Sequence, residues 1–143
     1  MAKSFQLEVI TPERLFFKGN VEMVIVRTLL GDEGFLANHT WACKLLDTGV
    51  LRIKETGSKV FKVAAITGGF VDVKDSVVIF TDAAEWPEEI DEKRALEAEQ
   101  RAQERLAQER GGDDLGTMGH SKVALMRAMT RRKIKSMSSI GSK

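Results

Sequence analysis

Near Trp86-Pro87 the apolar residues change their period, and that change limits the fold more than any other feature of the chain. Upstream they recur at every second position, as in Phe5-Leu7-Val9 and Val71-Val73, the spacing of strands with one buried face. Downstream, Glu88-Glu89-Ile90-Asp91-Glu92-Lys93-Arg94-Ala95-Leu96 is rich in Glu, Arg and Ala and reads as helix. The two periods call for unlike lobes: a β lobe over residues 1–86 and a helical lobe over 87–143. A compact β domain with a charged helical appendage suits an adaptor or regulator better than a pocketed enzyme.

In the first lobe Phe5 to Thr11 alternates, and Thr11-Pro12-Glu13 breaks the strand. Arg14 to Phe17 and Val21 to Leu30 are the next extended runs, separated by Gly19-Asn20. Gly31-Asp32-Glu33-Gly34 is turn-rich, and Glu55-Thr56-Gly57-Ser58 is a hairpin turn between Val50–Lys54 and Lys59–Thr67. Gly68-Gly69 marks a bend or bulge before Phe70–Val73 and Val77–Thr81. With no crossover helix between strands, the expected architecture is an antiparallel all-β sandwich of about ten short strands.

The second lobe reads as a C-terminal two-helix αα-hairpin. Pro87 suits a first helical turn, and Glu88, Glu89 and Asp91 complement the helix dipole there. Ala95, Ala98, Ala102 and Leu106 make a narrow apolar seam, and Gly111-Gly112 stops the helix. A joint through Asp113-Asp114, Gly116 and Gly119 leads to Ser121, the expected N-cap of a second helix from Lys122 to Met137. Val123, Met126, Ile134 and Met137 share one of its faces, with Arg127, Arg131 and Lys135 a quarter turn away. A seam of small side chains buries little area, so the hairpin is expected to be marginal alone and able to dock in more than one place.

Composition excludes several function classes. The net charge of +1 gives no overall pull toward nucleic acid or anionic membrane, and the basic stretch at Arg131-Arg132-Lys133 has no aromatics for base stacking. Cys43 is the single cysteine, so neither an intrachain disulfide nor a thiolate metal cluster can form, and it is expected to be a small buried apolar residue. The longest apolar run, Met23 to Val26, is strand-sized, and Met1 to Phe5 lacks the apolar core of a signal peptide. His39 and His120 are the only histidines, and no nucleophile or metalloprotease motif accompanies them. No catalytic residue and no metal site is expected.

Phe5-Gln6-Leu7-Glu8-Val9-Ile10-Thr11-Pro12-Glu13-Arg14 resembles the opening of the epsilon subunit of bacterial rotary (F-type) ATP synthases. Gly31-Asp32-Glu33-Gly34-Phe35-Leu36-Ala37-Asn38-His39 is similar to a loop of that family, and Gly68-Gly69-Phe70-Val71-Asp72-Val73 to its late hairpin. Thr81-Asp82-Ala83-Ala84-Glu85 then leads, as in the family, into Glu89-Ile90-Asp91-Glu92-Lys93-Arg94-Ala95.

The resemblance implies a non-catalytic subunit of the central stalk, or rotor. Its sandwich would pack on the gamma subunit and on the ring of c subunits, coupling ion-driven rotation to ATP synthesis; Asn38-His39 falls in the loop expected near that ring. The chain would lie peripherally at the cytoplasmic side of the cell membrane, reaching the membrane only through the complex. Its hairpin would extend into the head of alpha and beta subunits, where Arg127, Arg131, Arg132 and Lys133 are candidates to contact an acidic segment of beta and inhibit ATP hydrolysis. Some family members bind ATP in the folded hairpin through an Ile/Leu-Asp-x-x-Arg-Ala motif, matched here by Ile90, Asp91, Arg94 and Ala95. Glu85 lies upstream, and Arg127 and Arg131 are available on the second helix. No cofactor is required on this reading, with ATP an optional regulatory ligand. The residues alone also permit an ion pair of Asp91 with Arg94 on the helix surface, and a stand-alone ATP-binding sensor is the competing function.

Overall fold

The computed structural model describes residues 3–109 and 115–141. Nine strands among the described residues form the first lobe: β1 (Phe5–Ile10), β2 (Leu15–Thr28), β3 (Gly31–Leu36), β4 (Ala42–Leu46), β5 (Gly49–Glu55), β6 (Lys62–Ile66), β7 (Gly69–Val73), β8 (Val77–Phe80) and β9 (Ala84–Glu85). Two helices follow, α1 (Glu92–Glu109) and α2 (Leu115–Gly141). A β-sandwich with two C-terminal helices is thus the observed architecture.

The long strand β2 ties the layers together. Its first part pairs with β1, Phe5 opposite Val21 and Val9 opposite Phe17. Its second part pairs with β3 and β5, Ile25 standing between Gly34 and Arg52. A register irregularity between Val21 and Met23 lets the strand turn from one layer into the other. One layer continues through β8, β7 and β4; the other through β5, β6 and β9. The alternation of β1 places Phe5, Leu7 and Val9 in the core, where they meet Phe35, Ile53 and Ile79.

The structure differs from the sequence expectation in several places. Gly19-Asn20 does not divide two strands, because both residues pair within the ladder, opposite Leu7 and Gln6. Gly31 to Gly34 is strand β3 rather than a turn; the turn falls at Leu29-Leu30, where the Thr28 hydroxyl accepts from the Leu30 amide and donates to the Gly31 carbonyl. One pairing is parallel, β1 with β8. No crossover helix is needed there, since the intervening strands themselves form the connection. Cys43 is exposed: the alternation that buries Leu46 at the end of β4 turns Leu45 and Cys43 outward.

Gly68-Gly69 does make the expected bend, with φ of 63° and 108°. A side chain at Gly69 would place its Cβ 1.9 Å from the Phe80 carbonyl oxygen. The backbones of β7 and β8 therefore approach as closely as they do only because no Cβ intervenes.

The helical lobe also departs from its expected bounds. Pro87–Glu89 is a single 3₁₀ turn, Ile90 is extended, and α1 begins only at Glu92. The helix stop expected at Gly111-Gly112 and the start of the joint at Asp113-Asp114 lie outside the described residues. Gly116, Gly119 and Ser121 belong to α2, so Ser121 is not an N-cap; it is buried within the helix. Once a helix is nucleated, each added turn costs little, even through glycine.

The face shared by Val123, Met126, Ile134 and Met137 is divided. Val123 and Met126 are exposed, whereas Ser121, Ala128 and Ile134 are buried. The rotation of α2 is set by its small residues, which admit Ala95 and Ala102 of α1 at close range. Ile134, wholly buried, joins Val50, Ala65, Ile90 and Ala95 in a second small core between the helices and the sandwich.

Replacing Gly69 by Ala is expected to lower the unfolding free energy by about 3 kcal/mol or more, since backbone rather than a flexible side chain must yield. Urea unfolding measures this; an unchanged midpoint would show that β8 can retreat from Phe80 without cost.

Candidate functional site

The root of the hairpin is fixed by a cluster around Trp86. Its ring stacks on Phe16 with centroids 4.3 Å apart and meets the edge of Phe17 at 6.3 Å. The Trp86 amide donates to a Glu89 carboxylate oxygen at 2.9 Å, and the Arg14 guanidinium reaches the same carboxylate at 2.7 Å. Ile90 then plunges into the core beside Val50 and Ala65. Immediately after it, the Asp91 carboxylate accepts from the Arg94 amide at 3.2 Å and the Asp91 carbonyl from the Ala95 amide at 3.0 Å. Asp91 is therefore the N-cap of α1, and this backbone contact replaces the surface ion pair that the sequence allowed with Arg94.

Above this root lies a cleft of about 270 Å³. Glu85, Ile90, Asp91, Arg94, Ala95 and Arg131 all line it, so the structure gathers six of the residues grouped in the sequence as nucleotide-binding. Arg127 lies in an adjoining groove of about 240 Å³ between the helices. Arg131 Nε and Nη2 both donate to Glu85 Oε1, at 2.9 and 2.5 Å. One guanidinium thus closes the cleft against the end of the sandwich, while one oxygen of Asp91 remains beyond its cap. Arginine and carboxylate groups over an Ile/Ala floor can hold a polyanionic ligand that also carries a hydrogen-bonding ring. Among the described residues no cluster of His, Cys, Asp and Glu has the arrangement of a metal site.

The sequence missed Arg101, which lines both the cleft and the groove. Its signal was present: Arg101 stands seven residues after Arg94, two helical turns along the same face.

The cations of α2 do not form one patch. Arg131 is held by Glu85 and Arg132 by Glu99, a nearly buried carboxylate of α1. Arg127 faces the inter-helix groove, and Lys133 faces the sandwich with Met126, Met129, Arg27 and Arg52. In the loop after β3, Asn38 takes the left-handed conformation, φ 65°. The His39 amide donates to the Leu36 carbonyl at 3.3 Å and its Nδ1–H to the Thr40 carbonyl at 2.7 Å, while its ring edges onto buried Phe35.

Residues 4–87 match the family described as ATP synthase, Delta/Epsilon chain, beta-sandwich domain, and residues 88–135 match ATP synthase, Delta/Epsilon chain, long alpha-helix domain. An ATP synthase epsilon chain of Caldicellulosiruptor bescii is 46% identical over 131 residues, 91% of this chain and 92% of that one. The chain belongs to the ATP synthase epsilon-chain family. Another member, from Alkaliphilus metalliredigens, is 50% identical over 111 residues, covering 77% of this chain and 81% of its own. The fold is shared with a chain of the Euglena gracilis mitochondrial ATP synthase, resolved with its c-ring, at a TM-score of 0.76 and 24% identity over 96% of this chain and 81% of that one.

Burial works to raise the Glu89 pKa, but the Trp86 amide and the Arg14 guanidinium outweigh it and hold the carboxyl below its ordinary value of 4.5. Because the folded-state value is the lower one, this contribution to stability is complete above 4.5 and is lost as pH falls through the lowered value. Thermal unfolding followed from neutral pH into that acid range should fall more steeply for the native chain than for Glu89→Gln. Parallel curves would remove Glu89 from the hairpin root.

Proposed function

We propose that this chain is a non-catalytic rotor subunit of an F-type ATP synthase, with the sandwich as its coupling module and the hairpin as a mobile brake on ATP hydrolysis. The sandwich packs on the gamma subunit and, through the ordered turn at Asn38-His39, on the ring of c subunits. No helix among the described residues is long and apolar enough to cross a membrane, and the chain sits peripherally at the cytoplasmic side through its complex.

One observation carries the brake. Arg131 and Arg132, cations suited to an acidic segment of the beta subunit, are both occupied by acids of this same chain in the docked hairpin, Glu85 and Glu99. Carrying these guanidinium groups to a partner's acids breaks both internal pairs, so docking and inhibition compete. The same docked state builds the cleft around Asp91, Arg94 and Arg131, and this supports ATP as a regulatory ligand that favours docking.

Truncation after Glu109 removes α2 and leaves the β lobe intact. ATP hydrolysis by the reassembled complex should rise severalfold while assembly is unchanged; unaltered hydrolysis would reduce α2 to a solvated appendage. The competing reading, a stand-alone ATP sensor, is favoured by the same cleft. Co-purification with gamma, beta and c subunits decides between the two.

Ligand binding is tested by calorimetry on the isolated chain. Saturable heat with ATP is expected, and Arg94→Ala should weaken it about tenfold through loss of a charge-assisted contact. If Arg94→Ala binds as the native chain does, the cleft is not the ATP site.

A further inference from the structure

One side of the sandwich carries two adjoining hollows that share a wall at Phe61. The larger, about 680 Å³, lies between the β5–β6 connection and the hairpin root and is lined by Val60, Val63, Trp86, Pro87 and Met137. The smaller, about 480 Å³, is lined by Met23, Leu36 and Ala37. Val60, Phe61 and Leu36 are 72%, 40% and 54% exposed. Apolar surface left open in one continuous run is characteristic of ligand or partner sites. The charges around it are placed unequally. At the smaller hollow Lys54 pairs with Glu22 at 3.4 Å, whereas Lys3 has no ion pair among the described residues. At the larger hollow Arg52 is held by Asp32 and Lys62 by Glu55, and Glu88 is left without an ion pair among the described residues. A spare cation thus marks one end and a spare carboxylate the other.

We infer that these hollows bind a long-chain fatty acid as its carboxylate anion, with the head at Lys3 and the chain running past Phe61 toward Trp86. Shape and charge together select this chemistry. Both volumes lie in the range of small-molecule sites, roughly 300–1,000 Å³, but a compact ligand would fill one hollow and leave the other open. A flexible chain covers both, and removing its methylenes from water supplies most of its affinity. A single negative head matches the single spare cation, and Glu88 repels it from the opposite end, which fixes the direction. Met137 belongs to α2, so the tail end of the site is complete only while the hairpin is docked. The hollows share no lining residue with the cleft around Asp91 and Arg94, so this site does not depend on ATP binding.

Decanoate and laurate, kept below the concentrations at which they form micelles, are titrated into the full chain. Trp41→Phe leaves Trp86 as the single indole, so its fluorescence reports on the site. Saturable binding is expected, tighter for laurate by up to roughly fourfold for each added methylene. Bromine at the tail of the chain should quench Trp86 more than bromine beside the carboxylate. Phe61→Ser should weaken laurate about tenfold, and Val60→Ser, at a more exposed position, should weaken it severalfold with less risk to folding. Lys3→Glu should weaken laurate severalfold but not dodecylamine, which has the same chain and the opposite charge. Leu45→Ser, which removes a 64% exposed side chain from the other layer, should have little effect. No saturable binding of laurate overturns the proposal, as does equal loss from Leu45→Ser or stronger quenching from the carboxylate end. Binding to phosphatidylglycerol vesicles with none to laurate also overturns it and makes this face a membrane contact.

Discussion

The Glu89 carboxylate sits where the two lobes meet, and everything beyond it inherits its direction from the contacts there. It bonds the Trp86 amide and the Arg14 guanidinium, while the Trp86 ring lies on Phe16. Three consecutive segments are thereby fixed: the end of the sandwich, the 3₁₀ turn, and Ile90 in the core. The start of α1 is tied to the sandwich at this root. The part of the cleft formed by Glu85, Ile90, Asp91 and Arg94 rests on this root, and Arg131 of α2 completes it.

Outward from the root the contacts weaken. The helices meet through Ala95, Ala102 and Ala128, whose burial contributes little area. One large side chain of α2, Ile134, is fully buried against the sandwich, worth roughly 1.5–3 kcal/mol. The remaining ties are polar: Arg131 to Glu85, Arg132 to Glu99, and Lys135 Nζ to the Pro87 carbonyl at 3.1 Å. Partly exposed ion pairs of this kind contribute roughly 0–1 kcal/mol each, because water competes for both partners. Docking of α2 is held by geometry more than by energy.

The sequence revealed what depends on periodicity and hid what depends on distant partners. Alternation in Phe5-Leu7-Val9 and Val71-Val73 located core strands. Gly19-Asn20 misled because the local turn signal is overridden by β1, which supplies a partner for each residue. Cys43 misled because its side of β4 is decided by Leu46, three positions on. The cluster Arg127, Arg131, Arg132 and Lys133 is close in sequence, but a helix turns about 100° per residue and sends its members to three different surroundings. The residues around Asp91 and Arg94 could be grouped because they are local, and they line one cleft. Glu99 could not be, since its significance appears only when α2 is laid against α1.

A weakly held helix is also what makes control by small ligands feasible. A ligand that binds only the docked hairpin, at a hundredfold excess over its dissociation constant, stabilises that state by about 2.7 kcal/mol. That is comparable to the burial of Ile134, the largest fully buried apolar side chain among the described residues of α2. Were the seam built of leucines, docking would exceed any such contribution and the hairpin would not respond. Glu99 adds a second condition. It is nearly buried when paired with Arg132, but it regains water when α2 departs, so opening leaves no stranded charge. In the proposed brake, alanines in the seam and a carboxylate that is buried only while paired would keep docked and released hairpins close in free energy, and charge on a bound ligand would then decide between them.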